Sequence, residues 1–313
     1  MPVSVTKSVV SEDIINKMAQ KAFGENAKSI VELKEGFFNV AYKVSINDQS
    51  IILKIAPPKY TDIMTHEKNI MFSEVDAMNM VSKVTSVPVP KILCYDDSCT
   101  IIDRQYFFME MLEGKSFSSS KVEMTEEQQN SINFDIGKYT KMLNQIEGDQ
   151  FGYYCQDEKQ GNNWYEVFKS MILDTYFDAE RKNIIIPIEK ESIVIMLEKD
   201  KSYFEAVKTP KFVHWDIWPG NVFIDNGNIT GIIDFERCMW ADVLMEIGFR
   251  TCWYEKAFFD GYGIEKLTEA EERRAKWYDV YLFLISILEC DYRQYDNRGA
   301  YEWGCDMLLK WLK

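Results

Sequence analysis

FVHWDIWPGNVFIDNGNITGIIDFE, residues Phe212 to Glu236, reads as strand, polar loop, strand, tight turn, strand. Val222-Phe-Ile and Ile229 to Ile233 are its apolar arms, and Asp225-Asn-Gly-Asn228 between them is a strong hairpin turn. The frame places two carboxylates, Asp216 and Asp234, at the ends of elements that the hairpin holds together. Asn221 follows Asp216 by five residues and precedes Asp234 by thirteen. Asp, Asn and Gly belong in turns on their own account. Here they come together with a strand frame and two carboxylates, which a turn does not require. The set suits phosphoryl transfer, a reaction that needs little covalent help and much positioning of charge. Mg²⁺ takes oxygen ligands and keeps several waters, so one carboxylate and one amide suffice beside nucleotide phosphates. A second carboxylate, free of metal, can accept the proton of an attacking hydroxyl.

His214-Trp-Asp216-Ile-Trp-Pro-Gly-Asn221 and Ile233-Asp234-Phe-Glu236 resemble the catalytic and metal-binding loops of the aminoglycoside phosphotransferase and choline kinase family. These are small-molecule kinases that share the protein-kinase fold, and the Asp-to-Asn spacing is that of the kinase catalytic loop. The resemblance implies that Asp216 is the catalytic base, that Asn221 and Asp234 hold Mg²⁺, and that His214 braces the loop. Two departures stand out. The family commonly has Gly after the loop histidine, where this chain has Trp215. Glu236 follows Phe235 where protein kinases have Gly, which argues against a protein kinase.

Working outward, residues 11–22 form a short amphipathic helix behind a Ser cap, with Ile14, Ile15, Met18 and Ala22 on one face. Residues 29–37, 40–48 and 50–56 alternate with period two as three strands, and Asn47-Asp48 marks the turn between the last two. A helix over 65–84 turns Met71, Val75, Met78 and Val81 inward and is stopped by Pro88 and Pro90. Residues 91–97 and 105–112 read as two further strands. Strands this closely spaced form an antiparallel sheet. Beyond Gly114 the chain turns helical. Thr125-Glu-Glu-Gln128 is a capping box opening a helix to about residue 146, and further helices are read over 164–181, 189–207, 269–292 and 301–312. The expected architecture is α+β, a protein-kinase-like two-lobed fold. Residues 1–113 form a nucleotide-binding lobe with a five-stranded antiparallel sheet and one helix. Residues 114–313 form a mainly helical catalytic and substrate-binding lobe.

A kinase of this kind needs a Lys on the third strand and a Glu on the helix that follows. Lys54 sits in the apolar strand Ile51-Ile-Leu-Lys54-Ile, where a buried charge needs a partner. An edge-strand lysine facing water reads the same in isolation. The helix offers Glu74 and Glu67, with Glu74 favoured by its distance from Val87-Pro-Val-Pro90. Gly36-Phe-Phe-Asn39 would be the phosphate-covering turn, or an ordinary hairpin turn. Tyr106 to Gly114 would run into a hinge whose backbone near Glu110 and Leu112 bonds adenine. Two decoys fail. Gly114-Lys-Ser116 lacks the earlier P-loop glycine, since Met109 stands there, and Phe259-Asp-Gly261 ends a helix.

The 313 residues carry 36 basic and 50 acidic side chains, a net charge of −14. Residues 1–113 account for −3 of this and residues 114–313 for −11. No dense basic run exists to neutralise phosphates, so nucleic acid is not an expected partner. Hydrophobic residues make up 46% and aromatics 14%, which excludes a disordered chain. No apolar stretch approaches membrane length, and residues 1–20 lack the apolar core expected of a signal peptide. The seven cysteines, with no C-x-x-C, read as free thiols, and the expected location is the cytoplasm. In this family the helices after the hinge and at the C-terminus form the acceptor pocket. Here they carry Asp149, Glu158, Asp174, Asp178, Glu180, Asp242, Glu246, Glu255, Asp291 and Asp296, and aromatics including Trp240, Trp253 and Tyr254. Carboxylates beside aromatic faces suit a cationic hydroxyl compound, although Asp242, close after the metal loop, reads as structural. The expected function is ATP- and Mg²⁺-dependent phosphoryl transfer to a hydroxyl of a small, aminoglycoside-like or amino-alcohol molecule. A metabolic choline or sugar-amine kinase and an inactive nucleotide-binding scaffold are the alternatives. The oligomeric state is not fixed by the sequence.

Overall fold

The structure, a computed structural model, describes residues 6–34, 36 and 38–311. The predicted end of the first strand at Phe37, Phe37 of the turn and the predicted end of the last helix at Leu312 lie outside them. The chain opens with α1 (Glu12–Phe23), followed by β1 (Ser29–Leu33), β2 (Val40–Ile46) and β3 (Gln49–Ile55). A 3-10 turn, Thr65–Glu67, leads into α2 (Ile70–Val84), then β4 (Ile92–Asp96) and β5 (Tyr106–Glu110). The five strands pair antiparallel in the order β1-β2-β3-β5-β4. Asn47 and Asp48 both take positive φ, the two-residue turn that the right-handed twist of β2 and β3 favours.

Period-two alternation decides what each face of this sheet carries. Val40, Tyr42, Val44, Ile51, Leu53, Tyr106 and Phe108 pack with Ile15, Met18 and Ala19 of α1 on the outer face. The residues between them point the other way, so Lys54, paired in register with Phe107, faces inward. There Phe107 and Met109 join Met71, Val75, Met78 and Val81 of α2 in the larger core shared with the C-terminal part. The helix begins at Ile70, not Thr65, because Asn69 adopts a left-handed conformation. The preceding turn is held instead by Asp178, which accepts the Thr65 N–H and hydroxyl.

The remainder is mainly helical. In order it comprises β6 (Lys115–Ser116), α3 (Phe117–Ser120), α4 (Glu126–Leu143), β7 (Gly152–Tyr153), α5 (Trp164–Lys182), α6 (Lys190–Lys199), α7 (Lys201–Phe204), β8 (Lys211–Val213), β9 (Val222–Asp225), β10 (Asn228–Ile232), β11 (Met239–Ala241), α8 (Lys256–Tyr262), α9 (Glu269–Arg293) and α10 (Gly299–Trp311). The Thr125/Gln128 capping box is present. One helix predicted over 189–207 is two, broken at Asp200, whose carboxylate accepts from Arg273 Nε at 2.6 Å and Trp277 Nε1 at 2.7 Å. Of the three strands read in the Phe212–Glu236 stretch, β9 and β10 form the hairpin and take β6 as a third strand. β8 pairs with β11 in a separate small sheet. Phe259-Asp-Gly261 lies inside α8, one turn before its Gly263 cap. A Cβ on Gly261 would stand 1.9 Å from the Phe134 carbonyl oxygen, and one on Gly137 2.2 Å from that of Phe258. These two glycines let α4 and α8 cross backbone to backbone. All seven cysteines are free. Among the described residues no helix is long and apolar enough to cross a membrane.

Candidate active site

Segments far apart in sequence meet at one cleft. β3 brings Lys54, the second turn of α2 brings Glu74, and the segment after β10 brings Asp234 and Glu236. Lys54 Nζ donates to Glu74 Oε1 at 2.5 Å and to Asp234 Oδ1. Lys54 and Glu74 are buried, whereas the Asp234 side chain is 31% exposed, so the open side of this triad is the aspartate. Burial pulls the ammonium's pKa down, but Asp234, Glu74 and Glu236 outweigh it and hold Lys54 charged, above its ordinary value. Glu67, the other candidate on this stretch, pairs with Arg293 instead. Asn39 Nδ2 donates across the cleft to Glu236 Oε2 at 2.9 Å.

The loop between β8 and β9 is built around Asp216. Asn221 Nδ2 donates to the Asp216 carbonyl at 2.9 Å and to its Oδ2 at 3.2 Å, which leaves Asn221 Oδ1 available as an oxygen ligand. The Asn221 carbonyl accepts the Ile233 N–H at 3.0 Å, tying this loop to the residue before Asp234. His214 Nδ1 accepts the Asp216 N–H at 3.2 Å, so its proton sits on Nε2, which faces the Ile233 carbonyl at 3.1 Å. Burial pushes the imidazole down to about 4 and keeps it neutral. His214 therefore braces both loops through its ring.

Glu246 completes the loop. Its two carboxylate oxygens accept the consecutive backbone N–H groups of His214 (2.9 Å) and Trp215 (3.0 Å), and Asn144 Nδ2 donates to it as well. The strut is needed because Trp215 has φ 70, a left-handed conformation that costs a non-glycine residue on the order of 1 kcal/mol. The Gly that the family commonly has here would carry no such strain. What the tryptophan gains is a buried platform. The Arg237 guanidinium lies 5.4 Å from its ring centre and also donates to Glu289 at 2.7 Å. Sequence reading had Glu246 among the acceptor-side acids. The available signal was its place inside the apolar run Val243 to Phe249.

Burial pushes the Asp216 carboxyl up to about 7. Arg237 opposes this, and the charges of Asp234 and Glu236 add to it. Burial and Asp234 likewise push Glu236 to about 7. A carboxyl raised to that range is suited to taking a proton near neutral pH.

Asn39, Lys54, Glu74, Asp216, Asn221 and Asp234 thus share one neighbourhood. Among the described residues no hydrogen bond or ion pair links Gly36, Glu110 or Leu112 to it. Gly36 is exposed with φ 95. The Glu110 N–H is spent on the Lys91 carbonyl, and Leu112 packs over Gly231. The acids expected on the acceptor side are largely occupied: Asp174 by Lys159, Asp178 by Thr65 and Arg181, Glu180 by Lys190, Asp291 by Arg298. Asp242 takes Arg274 and Tyr278 and is structural. Trp253 and Tyr254 remain exposed. Among the described residues no group of three or more His, Cys, Asp or Glu could hold a metal alone. Asp234 and Asn221 Oδ1 could instead contribute two hard oxygen ligands to a cation whose remaining positions phosphates and water fill.

Known proteins share the fold of this chain. Residues 29–278 match the model of the phosphotransferase enzyme family. A putative fructosamine-3-kinase from Haemophilus somnus superposes with a TM-score of 0.71 at 18% identity, covering 96% of this chain and 97% of that one. The streptomycin–ATP ternary complex of APH(2")-IIa gives 0.65 at 17% identity, with 97% of each chain covered. A thermostable aminoglycoside phosphotransferase APH(4)-Ia, in ternary complex with ADP and hygromycin B, gives 0.67 at 15%, covering 95% and 97%. A probable acyl-CoA dehydrogenase of Arabidopsis thaliana is 22% identical over 58% of this chain, and the match spans 22% of that much longer protein.

Proposed function

The chain belongs to the phosphotransferase enzyme family, and from that premise we propose that it moves the γ-phosphoryl group of ATP, with Mg²⁺, to a hydroxyl of a small molecule. The observation that carries this reading is the Lys54 ammonium set between Glu74 and Asp234. Such a lysine is a fixed positive charge at the back of the cleft, behind the more exposed Asp234 and held by one buried carboxylate so that it can meet phosphate oxygens. Gly36 and Asn39 belong to the turn that would cover those phosphates. The hinge backbone near Glu110 and Leu112 would meet adenine. Asn221 Oδ1 and Asp234 would hold Mg²⁺, which supplies neutralisation of phosphate charge. Asp216 would accept the acceptor hydroxyl's proton, with His214 and Glu246 fixing its backbone. The division near residues 113 and 114 belongs to the same proposal.

Solved proteins of this fold include complexes with streptomycin, gentamicin and hygromycin B, which supports a small-molecule acceptor. The acidic balance after residue 114 favours a cationic one. The test is coupled ADP release with aminoglycosides, macrolides, choline, sugars and fructosamines as candidate acceptors. Stimulation by an amine-bearing hydroxyl compound is expected. Stimulation only by neutral or anionic ones would reject the cationic class.

A further inference from the structure

Three buried polar atoms without a partner among the described residues belong to residues that line one small cavity behind the catalytic loop. They are Trp215 Nε1, His66 Nε2 and Gln156 Oε1. Their residues are 4%, 7% and 1% exposed, so bulk water does not satisfy them. Buried polar atoms left without a bond are uncommon and costly, and three around one space call for a shared occupant. The cavity has about 10 Å³ of room for the centre of a water-sized sphere, the space of one water molecule.

The chemistry of the three atoms selects the occupant. Trp215 Nε1 can only donate and Gln156 Oε1 can only accept. The glutamine's orientation is set, because its Nε2 already donates to the Thr65 carbonyl at 3.1 Å and the Lys68 carbonyl at 3.3 Å. Burial and the guanidinium groups of Arg237 and Arg293 keep His66 neutral, so one of its ring nitrogens can accept. A cation would face the indole N–H and Arg237, which also lines the space. An anion would face Gln156 Oε1 and Glu236. Only a neutral molecule that both donates and accepts meets all three. The rings of His66 and Trp215 meet edge to face, 6.3 Å apart between centres, so the room beside them is small.

We propose that this cavity is a binding site for one internal water, which accepts from Trp215 Nε1 and donates to Gln156 Oε1 and His66 Nε2. The bridge joins the Thr65–Glu67 turn, which leads into the helix carrying Glu74, to Trp215, the neighbour of Asp216. His66 and Gln156 are then positioning residues for the catalytic loop, a consequence that rests on the kinase reading above, whereas the water site itself does not.

A crystal structure of the full chain tests the site directly. The expected result is a density peak about 2.7–3.2 Å from both Trp215 Nε1 and Gln156 Oε1. An unfilled cavity, or direct bonding of Trp215 Nε1 to a protein atom, overturns the proposal. The Trp215→Phe variant keeps a ring and removes the donor. Its kcat is expected to fall about three- to tenfold, the worth of one hydrogen bond, with the KM for ATP unchanged. Unchanged kcat would overturn the positioning role while leaving the water site to the density, and a shift confined to KM would do the same.

Discussion

The Lys54 ammonium donates to the carboxylate of Asp234, a residue 180 positions further along the chain. The contact joins the inward face of the N-terminal sheet to the loop after the β9–β10 hairpin. It makes one cleft of residues that sequence reading could only place on separate elements. Glu74 then has a second function besides orienting Lys54, since it is the fully buried counter-charge that lets a lysine occupy an apolar strand.

Replacing Lys54 should therefore affect the fold as well as the chemistry. Lys54→Met leaves Glu74 buried without its cation, a loss of about 3–5 kcal/mol where a buried pair is broken from one side. The double variant Lys54→Met/Glu74→Gln should recover much of that stability. Thermal melts of both read the difference, while turnover stays abolished in each. Equal melting temperatures for the single and double variants would mean that the pair is not coupled.

Activity should depend on pH through Asp216. Burial raises this carboxyl to about 7, and the proposed base works only when deprotonated. Turnover should then be flat above that pH and fall about tenfold per unit below it. A profile of kcat between pH 5 and 9 checks the limb. Constant turnover down to pH 5 would show that Asp216 titrates elsewhere or is not the base.

Glu246 should behave as a strut. Glu246→Ala frees two buried backbone N–H groups, each worth about 1–3 kcal/mol when left unsatisfied, at the residues that carry Asp216. A lower melting temperature is expected, with a drop in kcat larger than any change in the KM for ATP. Glu246→Gln, which keeps one acceptor oxygen, should fall between the two. Steady-state kinetics and melts on the pair measure this.

The crossing of α4 and α8 gives a prediction remote from the site. Gly261→Ala puts a methyl group 1.9 Å from the Phe134 carbonyl oxygen, so the helices must separate. Overpacking of this sort costs about 1–3 kcal/mol. The melting temperature should drop by several degrees, with kinetic constants of the surviving folded protein unchanged.

How far the sequence carried this account follows from which physics was local. Period two along β3 put Lys54 on the face opposite Leu53, but an edge-strand lysine facing water shows the same pattern, so its burial was readable only together with the Asp216 and Asp234 loops, whereas Asn226-Gly227 gave the hairpin. The start of α2 was not readable from periodicity, because Asn69 breaks the helix by backbone conformation and Asp178, over a hundred residues away, holds the turn before it. The break at Asp200 likewise depends on Arg273 and Trp277 from another helix. Strands such as β6, β7 and β11 are too short to show any period. Among the candidate site residues, Asp216, Asn221 and Asp234 were marked out by their spacing and by the family resemblance. Glu246 was not, because an acid that caps someone else's backbone has no motif. The occupied state of Asp174, Asp178 and Asp291 was invisible for the same reason, since their partners come from distant turns and helices.

Asp216 is proposed as the base beside a nucleotide held by Lys54. Asp216→Ala, compared with the unaltered protein for Mg²⁺–ATP binding by calorimetry and for acceptor-stimulated ADP release, separates the two functions. Similar ATP affinity in both is expected, with ADP release reduced at least about a hundredfold in the variant. Failure of the unaltered protein to bind ATP, or ADP release in the variant at the original rate, would contradict this proposal.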